Sequence, residues 1–286
     1  MPCDLHIHST HSDGSLTPAA LIAEAAQLGL TVALTDHNTV SGVPDFLAEA
    51  ARAGVSAVAG VELSAAVDSR ELHILGLFIP PSRLDDVEAL TEEYHVKKEE
   101  SNRALVAKLV ANGYAVSYES IQKRSPLGNV NRAHVAAELM ALGYVDSVAE
   151  AFASLLSEER GFYVPPPRLT AVEAVRFLKR IQAVPVWAHP FLQMDEATVR
   201  ATLPALLEAG LAGMEVQHSS YDDATILRAT AVARDFSLLP SGGSDFHGEV
   251  KPDVRLGVGK GNLSVPDAWC DALKQYQQRL SQGGQP

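Results

Sequence analysis

Cys3-Asp4-Leu5-His6-Ile7-His8 is the first apolar run of the chain, and its alternation opens the reading of the fold. On an extended strand, side chains point to opposite faces with a period of two, so His6 and His8 share one side while Leu5 and Ile7 share the other. A helical pattern follows from Thr17 to Leu28, with Thr17 as its cap and Pro18 in its first turn. The same alternation then recurs. Further strands are expected at Thr31 to Thr35, Val55 to Leu63, Glu71 to Phe78, Val184 to Ala188, Gly213 to Gln217 and Ser237 to Pro240. Helices are expected at Val43 to Ala53, Ala171 to Ile181, Glu196 to Ala209 and Asp222 to Asp235. Repeated β-α alternation predicts an α/β fold with a parallel sheet, open or closed into a barrel.

The alternation is interrupted between about residues 92 and 167. This region opens with a helical stretch from Leu84 to Asn112. Shorter helical segments follow at Tyr118 to Lys123, Arg132 to Leu142 and Ser147 to Leu155. Phe162-Tyr163-Val164 reads as a short strand, and Pro165-Pro166-Pro167 stiffens the return. The predicted organisation is a barrel-like body of residues 1–92 and 167–286, with a small helical subdomain, residues 93–166, inserted as a cap over substrate. Ser281 to Pro286 reads as a loose tail.

The chain has 286 residues, 47% of them hydrophobic and 20% charged, a composition that supports a sizeable core. Its 23 basic and 35 acidic residues give 23 − 35 = −12, which argues against a duplex-DNA surface. A few cations or metal ions in one cleft can still attract an anionic substrate. Cys3 and Cys270, the 2 cysteines, exclude a disulfide scaffold and point to a reducing compartment. The first residues lack a basic segment followed by a long apolar run, and no run approaches the ~20 apolar residues of a membrane helix. A soluble, cytoplasmic monomer without a membrane partner is therefore expected.

Several histidines and carboxylates fall at or just after predicted strand ends, the edge where parallel α/β folds build their sites. His6 and His8 open the set. Asp13 lies in the turn Ser12-Asp13-Gly14, and His37 follows Asp36 at the end of the second strand. Glu62 stands among apolar residues in Val61-Glu62-Leu63, where a buried carboxylate needs a partner or a metal. His73 has apolar neighbours on its strand, His189 follows Val184 to Ala188, and Asp245 and His247 follow Ser241-Gly242-Gly243-Ser244. Nine candidate ligands are too many for one ion. Two or three divalent ions bridged by a carboxylate would use them, an arrangement suited to phosphoryl chemistry. Mixed imidazole and carboxylate ligands suit manganese, the expected ion, with zinc or iron as alternatives.

His6-x-His8-Ser9, Ser12-Asp13-Gly14, Thr35-Asp36-His37-Asn38, Gly60-Val61-Glu62, His73, Ala188-His189-Pro190 and Gly243-Ser244-Asp245-Phe246-His247, taken in order, resemble the motif series of the PHP (polymerase and histidinol phosphatase) family. The resemblance implies a distorted seven-stranded β/α barrel, a di- or trinuclear metal centre and phosphoester hydrolysis. By that resemblance His6, His8, Glu62 and Asp245 hold one ion. Glu62 bridges to a second ion bound by His73 and His189, and Asp13, His37 and His247 hold a third. Some family members carry histidine in place of Asp13, and His11 is an alternative ligand there.

The inserted region, with Gly128-Asn129-Val130-Asn131-Arg132-Ala133-His134, resembles the subfamily of nucleoside 3′,5′-bisphosphate phosphatases and 5′-to-3′ exoribonucleases. Lys123, Arg124, Arg132 and His134 cluster there in an otherwise acidic chain. A phosphate not held by metal needs such donors. Arg132 and His134, with Lys123 as a weaker third, are the candidate contacts. His218, which follows Gly213 to Gln217, is a fourth, and Tyr221 and Phe246 are candidate base-stacking rings. His95 is read as an exposed helix residue. The expected reaction is hydrolysis of the 3′-phosphate of a nucleoside 3′,5′-bisphosphate, or of short 5′-phosphorylated RNA. A hydroxide held between two ions attacks, and His134 or a water protonates the leaving oxygen. The rivals are a histidinol-phosphate phosphatase, a metal-dependent amidohydrolase and a non-catalytic RNA-end sensor.

Overall fold

The computed structural model describes residues 2–68, 70–124, 130–157 and 160–282. Gly128 and Asn129 of the junction motif and residues 283–286 of the expected tail lie outside the described residues. The chain divides into two compact units, residues 1–89 with 169–286, and residues 90–168.

The first unit carries one seven-stranded sheet in sequence order: β1 (Cys3–Ile7), β2 (Thr31–Leu34), β3 (Ala57–Val67), β4 (Arg70–Leu77), β5 (Val184–Ala188), β6 (Gly213–His218) and β7 (Leu239–Gly243). The sheet nearly closes. Beyond β7, the Asp245 N–H donates to the His6 carbonyl at 2.9 Å, and the His8 N–H donates to the Phe246 carbonyl at 2.9 Å. Gly243 makes this approach possible, because a Cβ there would lie 2.3 Å from the His6 Cβ. Asp4, fully buried, braces the same seam. Its oxygens accept from the Ser244 N–H at 2.7 Å, the Ser244 hydroxyl at 2.5 Å and the Gly257 N–H at 2.8 Å.

The sheet is not all parallel. β4 runs antiparallel to both β3 and β5. The expected third strand ended at Leu63, but β3 continues to Val67. Only two residues then separate it from β4, too few for a crossover and enough for a hairpin. The reversal places His73 opposite Ser64 on one side and Ala188 on the other, next to the end of β5 that carries His189.

Helices α1 (Pro18–Leu28) and α2 (Val43–Ala53) form in the early crossovers, and both end at glycines in the left-handed region. Thr17 caps α1, as its sequence indicates. The helix α3 (Leu84–Ala111) contains the point at which the two units divide. The second unit contains α4 (Tyr118–Gln122), α5 (Arg132–Ala141) and α6 (Val148–Ala151), the last continued by a π-turn over Phe152–Leu156. Its own core includes Leu105, Leu109, Ile121, Val135, Leu139 and Leu156. Phe162-Tyr163-Val164 is not a strand. Tyr163 is instead buried as a packing residue of this core, and its ring lies under the Arg132 guanidinium, 4.2 Å from centroid to Cζ.

Returning to the first unit, α7 (Ala171–Arg180) packs on β3, β4 and β5, and α8 (Glu196–Ala209) packs on α7. α9 (Asp223–Asp235) packs on β6 and β7. α10 (Asp267–Ser281), which the sequence reading did not anticipate, lays Cys270 and Leu273 against the barrel core. Among the described residues no helix is long and apolar enough to cross a membrane.

Candidate metal centre

Glu62 is the hub of the site. It is fully buried, and each of its oxygens meets several imidazole nitrogens. Oε2 lies 3.2 Å from His6 Nε2, 3.3 Å from His8 Nε2 and 3.0 Å from His37 Nδ1. Oε1 lies 2.8 Å from His73 Nδ1 and 3.0 Å from His189 Nε2. Asp245 closes one side, with Oδ1 at 3.2 Å from His8 Nε2 and 3.7 Å from His6 Nε2. Asp13 closes another, at 3.2 Å from His247 Nε2, 3.6 Å from His8 Nδ1 and 3.8 Å from His37 Nε2. The nine sequence candidates thus meet in four overlapping groups: His8, Asp13, His37 and His247; His6, Glu62 and His189; His6, His8 and Asp245; His37, Glu62 and His73.

The atoms fit divalent ions on chemical grounds. His6 Nε2, His8 Nε2, His37 Nδ1, His73 Nδ1 and Glu62 Oε2 are buried and have no hydrogen-bond partner among the described residues, despite their short separations. They converge in groups whose ligand atoms lie close enough together to share an ion. The outer contacts support this. His247 Nδ1 donates to the Asp245 carbonyl at 2.8 Å, which leaves Nε2 free toward Asp13. Two of the site residues hold left-handed backbone, His189 at φ 31° and Asp245 at φ 55°. Such strain in non-glycine residues persists where surrounding contacts impose it.

The charges are strongly coupled. Burial pushes the Glu62 carboxyl up, but the charge of His6 and the imidazoles of His189 and His37 outweigh it and hold it well below the usual carboxylate range. Burial opposes protonation of His6, yet Glu62 and Glu215 hold it well above its usual range. For His73, burial likewise works downward, and Glu62 and Glu71 raise it to about 9. At His189 burial prevails and lowers it.

Some neighbours of the centre were missed or given other roles by the sequence. Asp36 does not join the ligands. It accepts from the Ser9 N–H at 2.7 Å, the Ser9 hydroxyl at 2.6 Å and the Ser12 hydroxyl at 2.6 Å, and so braces the loop after β1. Glu215 and Lys251 escaped the sequence reading. Lys251 Nζ lies 2.6 Å from Asp245 Oδ2. His218 is buried, with Nε2 3.4 Å from the same Asp245 oxygen and Nδ1 accepting the Ser220 N–H at 3.1 Å. Tyr221 and Phe246 are both buried. His11 stays outside the ligand groups, its Nδ1 2.8 Å from the Ser41 hydroxyl.

Within the helical unit, Arg132 Nη1 donates to the Leu156 carbonyl at 3.2 Å. His134 closes a capping box: its Nδ1 accepts the Asn131 N–H at 3.1 Å. The Asn131 side chain caps the same helix. Lys123 is exposed and pairs with Glu119 at 3.4 Å, and Arg124 pairs with Glu138 at 2.6 Å.

The PHP domain family model matches residues 4–162. The chain is similar to the 5′-3′ exoribonuclease Rnm of Escherichia coli strain K12, with 30% identity over 258 residues, covering 89% of this chain and 87% of that protein. It is also similar to the 3′,5′-nucleoside bisphosphate phosphatase of Chromobacterium violaceum, with 30% identity over 256 residues, covering 88% of this chain and 90% of that protein. Among solved structures, a metal-dependent phosphoesterase from Bifidobacterium adolescentis superposes with a TM-score of 0.68 at 25% identity, covering 96% of this chain and 98% of that one.

Proposed function

We propose, on the premise that the chain belongs to the PHP domain family and is a metal-dependent phosphoesterase, that it removes the 3′-phosphate of nucleoside 3′,5′-bisphosphates. The 5′-phosphorylated end of short RNA is the related substrate. The observation that carries the reading is the convergence of eight further candidate ligands around Glu62; Arg132, at the start of a helix in the inserted region, supports the choice of a substrate with a second phosphate.

His6, His8 and Asp245 would hold one divalent ion, and His73 and His189 a second, with Glu62 offering one oxygen to each. Asp13, His37 and His247 would hold a third. When bound, such ions supply Lewis acidity toward phosphate oxygens and toward water. The protein's own groups do the rest. Arg132 would bind the non-reacting phosphate through its planar set of donors. Lys123 would add charge, and His218 would steady Asp245 beside the reacting phosphate. His134 is assigned the leaving oxygen. Because its Nδ1 accepts a backbone N–H, the neutral ring carries its hydrogen on Nε2, which can donate a hydrogen bond to the leaving oxygen while a water supplies the proton.

The reading is tested by phosphate release from adenosine 3′,5′-bisphosphate, 5′-AMP, histidinol phosphate and a 5′-phosphorylated RNA dinucleotide, each with manganese-loaded protein. Preference for the bisphosphate, with 5′-AMP as product, is expected. Preference for histidinol phosphate would overturn the substrate assignment and leave phosphoester hydrolysis in place. Release of nucleotide from the dinucleotide alone would make the protein an exoribonuclease.

A further inference from the structure

Glu215 belongs to none of the ligand groups, yet it is fully buried on β6 directly behind them. A buried carboxylate needs partners for its oxygens. Oε1 lies 3.0 Å from Nδ1 of His6, and Oε2 accepts the backbone N–H of His189 at 2.7 Å. A carboxylate facing Nδ1 fixes the ring hydrogen there. In the neutral ring that can ligate an ion, the remaining lone pair of His6 is then on Nε2, the atom that lies 3.2 Å from Glu62 Oε2 with no hydrogen-bond partner among the described residues. The second contact acts where the backbone is strained, at His189 with φ 31°, and the His189 ring reaches the other Glu62 oxygen at 3.0 Å.

We infer that Glu215 is a positioning residue that sets the tautomer of His6 and the backbone of His189 together, so that one buried carboxylate prepares a ligand on each side of Glu62. This inference rests on the metal-dependent reading above. It deepens that reading by assigning the two halves of the centre a common support. Partners of this kind orient imidazole ligands, and their loss typically costs about 10–100-fold in metal affinity.

Glutamine at this position discriminates sharply. Glu215→Gln keeps the shape but offers one acceptor oxygen where two donors must be met. The His189 N–H cannot reverse its polarity, so the amide oxygen goes to it and the amide NH2 faces His6. Nδ1 of His6 must then be bare, its hydrogen moves to Nε2, and the lone pair aimed at Glu62 is lost.

The test strips the full-length protein with chelator, titrates it with manganese, and follows binding by electron paramagnetic resonance. Wild type should bind at least two ions, and Glu215→Gln should weaken binding by about 10–100-fold, with partial recovery in Glu215→Asp. In zinc-loaded wild type, 15N NMR of the imidazoles should show His6 protonated at Nδ1. That readout stands even where the variant does not fold. Unchanged manganese affinity in a folded Glu215→Gln, or a bare Nδ1 on wild-type His6, would overturn the inference and leave the metal-centre reading intact. Wild type that binds neither ion would overturn both.

Discussion

Loading the centre with metal should expel protons, and the pH dependence can be worked out from the histidines. An imidazole must be neutral to ligate. In the metal-free protein His73 is raised to about 9, so it carries an extra proton at pH 7, and His6 is held above its usual range in the same direction. Binding of manganese at pH 7 should therefore release at least the His73 proton. For His73, the gap between pH 7 and its pKa of about 9, at about 1.4 kcal/mol per pH unit, costs about 3 kcal/mol, or roughly 100-fold in affinity. The His73 contribution to affinity should rise across this window and flatten above about 9, where that ring is neutral. The stability of the stripped protein should move the other way. A raised imidazole contributes stability that is complete below its ordinary value of 6.5 and is lost as pH rises through about 9. The assay is calorimetric titration of stripped protein in two buffers of equal pH and different protonation enthalpy, with thermal unfolding measured in parallel. Heats that do not depend on the buffer at pH 7, or an affinity flat from pH 7 to 9, would show that no protonated histidine has to lose its proton for the ion to bind.

Three further predictions concern single residues. Asp4→Ala strands the buried Ser244 and Gly257 donors and should cost about 3 kcal/mol by denaturant unfolding, with Asp4→Asn milder. Gly243→Ala brings a Cβ within 2.6 Å of the His6 backbone nitrogen, so it should destabilise the protein by several kcal/mol and lower its metal content, read by unfolding and by ion analysis. Arg132→Ala should raise KM for adenosine 3′,5′-bisphosphate at least tenfold more than KM for 3′-AMP. The guanidinium also packs on Tyr163, so circular dichroism must show the helical unit intact before KM values are compared.

The barrel was legible because its strands are short apolar runs between helical patterns. Most of the candidate ligands were legible because they sit where those runs end. His6 and His8 follow from a period of two, and Glu62 from the cost of a lone carboxylate among apolar residues. The same signal stands in Gly213-Met214-Glu215-Val216, and Glu215 could have been read from it. Its role could not, since that depends on meeting His6 from 209 positions away. The hairpin of β3 and β4 was hidden because the apolar pattern runs on through Ser64-Ala65-Ala66-Val67 without a turn residue before Asp68. In Phe162-Tyr163-Val164, strand-forming side chains serve the core of a helical unit, where tertiary packing overrides local preference. The helix α10 carried its signal in Pro266 and in the spacing of Cys270 and Leu273, a helical face that the repeating strand pattern did not lead to.

Phosphoester hydrolysis by this protein should depend on more than one ion held by the cluster around Glu62. The most direct test is a manganese titration of chelator-stripped protein, with ions bound per chain and phosphate released from adenosine 3′,5′-bisphosphate measured on the same samples. Stripped protein should release negligible phosphate, and turnover should appear as the second ion binds. Full turnover by stripped protein in excess chelator, or saturation of activity with a single ion per chain, would contradict that dependence.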